Sequence, residues 1–227
     1  MDTPQLLQKV SIFTGLPVEV LADLAARMRP RPAEAGTVIV SQEEIGDALY
    51  VIARGRFKVV LYGETGREII LSVLSSGDFF GEMSLLDKQP RSANVVAIED
   101  GEVLSLDRDA FQNHLAGHPS TALAILAEMS RRLRHADEVI GNLALLDVYA
   151  RVARAIRDLA LKQGEQVDGG VLIRERPTQQ EMAGLIGTSR ETVSRALNDF
   201  TRRGLLEMNG KQILVRSIFL QKLEEET

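Results

Sequence analysis

The chain has 227 residues, enough for two domains with separate cores. Its 44% hydrophobic and 26% charged residues are an ordinary globular balance, and the absence of cysteine excludes disulfides, thiol catalysis and Cys-ligated iron–sulfur or zinc centres. The net charge of −5 argues against blanket nucleic-acid binding, yet from Asp147 onward 13 Lys/Arg stand against 12 Asp/Glu while the first 146 residues carry 14 against 20, so a polyanion would prefer the C-terminal third.

Residues 1–10 lack the apolar core of a signal peptide, and no run of 18 apolar residues occurs, so the expectation is a cytoplasmic protein without a membrane partner. Thr3 to Met28 reads as short helices, the second starting at Pro17 with Val20, Leu21, Leu24 and Met28 on one face. Pro30 and Pro32 stop it. From Gly36 the pattern turns to short apolar or alternating runs: 37–40, 48–53, 56–62, 68–74, 91–97 and 101–106. Each is bounded by Gly or Asp, which predicts an antiparallel β barrel or roll. Asp107 caps a helix that Gly117 ends.

Pro119 opens a long helix to about Leu146. Ala122, Leu126, Met129, Leu133, Ala136, Ile140 and Leu143 make a heptad seam on it, the mark of a parallel two-stranded coil, and the remaining positions read as polar or small. An amphipathic helix follows from Val148 to about Gln163, then a loop over 164–170 and a strand at 171–173. Thr178 with Glu181 has capping-box spacing, and Ser189 caps the next helix beyond Gly187. Asn209-Gly210 predicts a two-residue hairpin, and 217–223 a short helix. The expected architecture is α+β: a β-roll domain over 1–117, a dimerisation helix over 118–146, and a winged helix-turn-helix over 147–227.

Two constellations carry chemistry. The first is Gly77-Asp78-Phe79-Phe80-Gly81-Glu82-Met83-Ser84, followed by Pro90-Arg91-Ser92. Glycine before a helical turn frees main-chain N–H groups for an anion. Arg91, expected on a rim where its loss leaves the fold intact, offers a fork for a phosphate, and Ser92 a further hydrogen bond. Glu82 beside a phosphate needs a donor, and a ribose hydroxyl is one. The second runs from Thr178 to Leu197: two capped helices joined through Gly187, the second exposing Arg190, Glu191, Ser194, Arg195, Asn198 and Arg202. Arginine there reads guanine O6/N7, and glutamate accepts from cytosine N4. His114, His118 and His135 read as surface residues without a metal grouping. No paired carboxylates, nucleophile–base set or Walker loop is present, so neither an enzyme nor a metal site is expected.

The first constellation resembles the phosphate-binding cassette of cyclic-nucleotide-binding domains, on Gly81, Glu82, Arg91 and Ser92. The whole chain, from about Ile12 to Val215, resembles the Crp-Fnr superfamily of bacterial transcription regulators, through Arg131-Arg132-Leu133, Gly141-Asn142-Leu143-Ala144 and Ser189-Arg190-Glu191-Thr192-Val193. The resemblance implies a cyclic nucleotide effector, cAMP or cGMP, contacted by Gly81, Glu82, Met83, Ser84, Arg91, Ser92, Ala136 and Asp137. It also implies a homodimer on double-stranded promoter DNA with RNA polymerase as a partner. Arg190, Glu191 and Arg195 would read bases, and Thr178, Gln179, Ser189 and Thr192 would contact phosphates. One departure concerns the base. Cyclic-AMP-responsive members hold adenine with a Thr-Ser pair on the long helix, where this chain has Ala136 and Asp137. A carboxylate facing the base would favour guanine, with N1–H and N2–H₂ side by side. The alternative has Asp137 directed to solvent or to Arg134, with cAMP retained. Other open readings are a response to cyclic di-GMP, no ligand at all, or a nucleotide-sensing module acting on a partner protein.

Overall fold

The structure, a computed structural model, describes residues 2–64, 66 and 68–225. Met1, Glu226 and Thr227, the outermost residues of the expected first and last segments, lie outside these. The chain folds as two compact units, residues 1–136 and 137–227. Among the described residues no helix is long and apolar enough to cross a membrane.

The first unit opens with α1 (Thr3–Leu7), a 3₁₀ turn at Ser11–Phe13 and α2 (Val18–Arg27). Strands β1 (Arg29–Ala33), β2 (Val38–Val40), β3 (Ala48–Arg54), β4 (Phe57–Tyr62), β5 (Glu68–Leu74) and β6 (Phe79–Phe80) follow. Then come α3 (Glu82–Asp87), β7 (Asn94–Ala97), β8 (Gly101–Asp107) and α4 (Arg108–Gly117). Two antiparallel four-stranded sheets, ordered β1-β8-β3-β6 and β2-β7-β4-β5, enclose a core of Ile39, Tyr50, Ile52, Phe57, Phe80, Val95 and Val103. The outer side of the first sheet is covered by helices, whose Leu7, Phe13, Leu21, Leu24 and Phe111 pack on Leu49, Val51, Leu104 and Leu106. Strand β3 is therefore buried on both faces, which explains its unbroken apolar run.

Strand β1 is a departure from expectation. Pro30 and Pro32, read as stops, lie in it. It is an edge strand paired only to β8, where alternate residues need no ladder donor. Strand β7 begins at Asn94 rather than Arg91, because the Arg91 main chain pairs instead with the 43–44 loop: Arg91 N donates to Glu44 O at 2.8 Å, and Glu43 N to Arg91 O at 2.9 Å.

The long helix α5 (Pro119–Leu145) starts in the first unit and continues into the second. It has two apolar faces rather than one. Thr121 and Ile125 are buried in the first unit's core, while Leu126, Leu133 and Ile140 are 61–64% exposed. Of the expected seam, Leu126, Leu133, Ala136, Ile140 and Leu143 thus stand in solvent on an isolated chain while Met129 packs against the first unit's core, and the side read as polar holds Ile125.

The second unit comprises α6 (Val148–Gln163), β9 (Glu165–Val167), β10 (Gly170–Ile173), α7 (Gln179–Ile186), α8 (Arg190–Arg202), β11 (Leu206–Asn209), β12 (Gln212–Arg216) and α9 (Ser217–Glu225). One sheet, ordered β11-β12-β10-β9, shares a core with α6, α7, α8 and Phe219. The segment expected as a loop over 164–170 contains β9, hydrogen-bonded to β10.

His114 also departs from expectation: it is 7% exposed, edge-on to Phe13 at 5.7 Å, with Nε2 3.0 Å from Thr121 Oγ1 at the start of α5. Burial pushes its pKa down to about 4, with His118 reinforcing the shift and Asp23 opposing it. The unfolded ring takes a proton near 6.5 while the native ring stays neutral to about 4. Stability is therefore full well above pH 6.5 and falls as the pH drops toward 4, by about 3 kcal/mol in total. Melting curves recorded between pH 7 and 4 should show this loss, and His114→Gln should flatten it.

Candidate functional site

Strand β6 delivers the chain into a left-handed turn at Gly81 (φ 87°), from which the short helix α3 begins. A side chain is impossible there: a Cβ on Gly81 would lie 2.5 Å from Arg91 Nη1 and 2.9 Å from Ala48 O. Glu82 follows and is 1% exposed. Its Oε1 accepts from Arg132 Nη1 at 3.1 Å, and its Oε2, also buried, has no hydrogen-bond partner among the described residues. Burial raises the Glu82 pKa above the ordinary carboxylate value, against the opposing charges of Arg132 and Arg91. A buried carboxylate oxygen left without a donor is costly, and a donor arriving from outside relieves that cost.

Arg91 faces the same turn. It is 6% exposed, not on a rim, and donates from Nη1 to Gly81 O at 2.6 Å and from Nη2 to Ala48 O at 2.7 Å. Its guanidinium lies 5.8 Å from the Tyr50 ring centroid. Burial lowers its pKa, with Tyr50, Asp47 and Glu82 opposing and Arg108 adding to the shift. Both side-chain acceptors are neutral carbonyls, so the positive charge is solvated without being cancelled, which suits an incoming anion. Of the other predicted contacts, Ser84 is buried, Met83 is 45% exposed and Ser92 is exposed. Ala136 and Asp137 are exposed on α5.

Sequence reasoning used Arg132 only as part of the Arg131-Arg132-Leu133 match and gave it no role at the site. It lies on α5, donates to Glu82, to Phe79 O at 3.0 Å and to Glu128 at 3.1 Å, and stacks 4.8 Å above the Phe79 ring. The signal was present: Thr121, Ile125, Glu128 and Arg132 recur at four-, three- and four-residue steps, one face of a helix.

In the second unit, Thr178 Oγ1 accepts from Glu181 N at 3.1 Å and the Glu181 carboxylate accepts from Thr178 N at 2.7 Å, the reciprocal capping box. Gly187, left-handed at φ 72°, turns the chain toward Ser189, whose hydroxyl accepts from Thr192 N at 3.2 Å and caps α8. Val193, Ala196, Leu197 and Phe200 are buried, leaving Arg190, Glu191 and Arg195 exposed on the opposite side. A shallow cleft is lined by Gln179, Arg190, Glu191 and Ser194. Arg195 donates to Thr192 Oγ1 at 3.3 Å. The Glu191 carboxyl is held below its ordinary pKa, first by main-chain N–H and Ser189 hydrogen bonds and then by Arg190 and Arg195, so it is an acceptor at neutral pH.

Two family models match the chain: the cyclic nucleotide-binding domain over residues 30–118 and the Crp-like helix-turn-helix domain over 150–225. The chain is 34% identical over 211 residues to a CRP-like cAMP-activated global transcriptional regulator of Mycobacterium tuberculosis, covering 93% of this chain and 94% of that protein. It is 37% identical over 214 residues to the cyclic AMP receptor protein of Thermus thermophilus, covering 94% and 95%. Its fold is similar to that of the c-di-GMP-responsive global regulator CLP of Xanthomonas campestris, with a TM-score of 0.77 and 25% identity over 88% of this chain and all of that one.

Since Arg91 answers two buried carbonyls, its removal should not leave the fold untouched. Arg91→Met should lower the unfolding free energy by about 1–3 kcal/mol in a urea titration. A variant as stable as the wild type would return Arg91 to a dispensable position.

Proposed function

The chain belongs to the Crp family of transcription regulators, and on that footing we propose that it is a homodimer that binds a cyclic mononucleotide and, in response, a near-palindromic promoter operator. The observation that carries the effector reading is the pairing of an unpartnered, buried Glu82 Oε2 with an Arg91 guanidinium answered only by carbonyls. A ribose 2′-OH would donate to Glu82, and the cyclic phosphate would take Arg91, Ser92 and the main chain at Gly81 to Ser84. The exposed aliphatic residues of α5 support the dimer: Leu126, Leu133 and Ile140 form an apolar stripe on a helix of 27 residues. In this reading α5 is the dimerisation helix between the effector and DNA-binding segments, and RNA polymerase is the partner that meets the bound dimer.

The ligand acts by contacts that differ between two arrangements of the protein, since equal affinity for both would shift nothing. Arg132 is suited to this task because it connects α5 to the carboxylate a ribose would engage. On DNA, Arg190, Glu191 and Arg195 contact base edges, and Thr178, Gln179, Ser189 and Thr192 contact phosphates. The second reading, cyclic di-GMP as effector, is favoured by the likeness to the Xanthomonas regulator.

Calorimetric titration of the full chain with cAMP, cGMP and cyclic di-GMP tests the effector reading. Binding of a mononucleotide that is lost in Glu82→Ala is the expected result, and binding of cyclic di-GMP alone would replace it. Within the mononucleotides, Asp137 facing the base favours cGMP by roughly tenfold, from a charge-assisted donor pair. The Ala136→Thr/Asp137→Ser variant should then move the preference toward cAMP, and a cAMP-preferring wild type with no change in the variant removes Asp137 from the base site.

The DNA reading is tested by Arg190→Ala. Discrimination at its cognate guanine should fall by about 1–3 kcal/mol while other positions keep their preference, measured by titration against a panel of operator variants. A uniform loss across all sequences would make Arg190 a phosphate contact.

A further inference from the structure

Arg108 is the first residue of α4, a helix the effector reading does not use. Its main-chain N donates to Asp47 O at 2.8 Å. Its guanidinium reaches two other segments: Nη2 donates to Gly46 O and, at 3.3 Å, to Ser84 O, and Nη1 donates to Leu85 O at 3.4 Å. The side chain therefore joins three pieces of chain at one point: the stretch leading into β3, the body of α3, and the start of α4. Its acceptors are main-chain carbonyls, as they are for Arg91.

The two arginines work as a pair. Arg91 holds the front of α3 through Gly81 O, and Arg108 holds its rear half through Ser84 O and Leu85 O. Both reach back to one short segment, Arg108 to Gly46 O and Arg91 to Ala48 O. A Cβ on Gly46 would lie 2.5 Å from Arg91 Cζ and 2.7 Å from Ser84 Cβ, so this segment is packed directly against α3. Helix α3 spans only six residues and ends in left-handed conformations at Gly81 and Lys88, with no side-chain cap. A helix this short does not hold itself. Its position is set by these guanidinium groups together with Leu85, which is buried in the core beside Leu49 and Phe79.

Beyond Arg108, α4 carries Phe111 in the core and His114, whose ring meets Thr121 Oγ1 at 3.0 Å on the first turn of α5. A continuous chain of contacts thus runs from α3 through Arg108 and α4 to α5. We propose that Arg108 is a positioning residue that couples the ligand-holding turn at Glu82–Asp87 to α4 and the base of α5, so that occupancy of the turn is felt there. The proposal rests on reading Glu82 and Arg91 as the ligand-holding residues. A fork is needed to reach all three acceptors, because Nη2 takes Gly46 O and Ser84 O while Nη1 takes Leu85 O, and one ammonium group cannot occupy both positions.

The experiment is hydrogen exchange on the full chain, wild type against Arg108→Met and Arg108→Lys, without ligand and at saturating cAMP, cGMP or cyclic di-GMP. Without ligand, exchange in peptides covering 82–88 should rise roughly tenfold in Arg108→Met while 189–203 stays unchanged. With a nucleotide bound, the wild type should slow exchange at both 82–88 and 108–121, whereas Arg108→Met should slow it only at 82–88. An Arg108→Met protein that still transmits protection to 108–121 overturns the coupling. Should Arg108→Met fail to fold, Arg108→Lys carries the test, and exchange at 82–88 identical to wild type overturns the role of the fork. If no nucleotide binds the wild type, the effector reading fails by itself. The ligand-free comparison then decides Arg108 alone: faster exchange at 82–88 upholds its positioning role, and unchanged exchange rejects it.

Discussion

A six-residue helix bounded by two left-handed residues cannot position a buried carboxylate by its own hydrogen bonds. In this protein three arginines from three elements do so: Arg91 from the approach to β7, Arg108 from the start of α4, and Arg132 from α5. Burying a guanidinium is unfavourable unless its donors are met. Arg91 and Arg108 meet theirs with carbonyls, which satisfy hydrogen bonding while leaving the charge in place. Arg132 alone faces carboxylates, Glu82 and Glu128. The local result is a buried cluster of cationic groups with one carboxylate oxygen unpartnered, the pairing on which the proposed nucleotide reading rests.

The long helix serves two demands because its sequence carries two apolar stripes. Adjacent residues on a helix lie about 100° apart, so Ile125 and Leu126 point to different surroundings. Ile125 enters the core of the first unit and Leu126 faces solvent. The inner stripe ends at Arg132, where packing gives way to an ion pair with Glu82. One helix therefore touches the candidate ligand site on one side and presents a dimer-type seam on the other.

The second unit sets its proposed recognition surface by local bonds. The capping box at Thr178 and the Ser189 cap set the starts of α7 and α8. The Ser189 and Thr192 hydroxyls lie 3.0 Å apart, and Arg195 is drawn onto Thr192. Side chains ordered in this way lose less freedom on meeting DNA than free ones would. The high hydrophobic contrast of α8, with Val193, Ala196, Leu197 and Phe200 on one side and charged residues on the other, holds that face outward.

Much of the molecule was legible from residues alone, because the relevant physics is local. Caps at Asp107, Thr178 and Ser189 and the helix-turn-helix follow from neighbours within four positions, and the structure has each of them; the two-residue hairpin is also there, but its loop is Gly210-Lys211, because Asn209 pairs with Gln212 as the last residue of β11. The alternating strands of the β roll and the family resemblance were equally visible. What only the tertiary structure decided depends on contacts distant in sequence. Strand β1 survives two prolines because its edge position leaves their missing donors harmless, and edge position is a property of the sheet. His114 looked like any surface histidine until Phe13 and Thr121 closed over it. Arg91 looked like a rim cation, but its acceptors, Gly81 and Ala48, lie 10 and 43 residues away. No spacing rule connects Arg108 to Gly46 and Ser84, or Arg132 to Glu82, because those distances are set by how the sheets and helices pack rather than by the period of any one element.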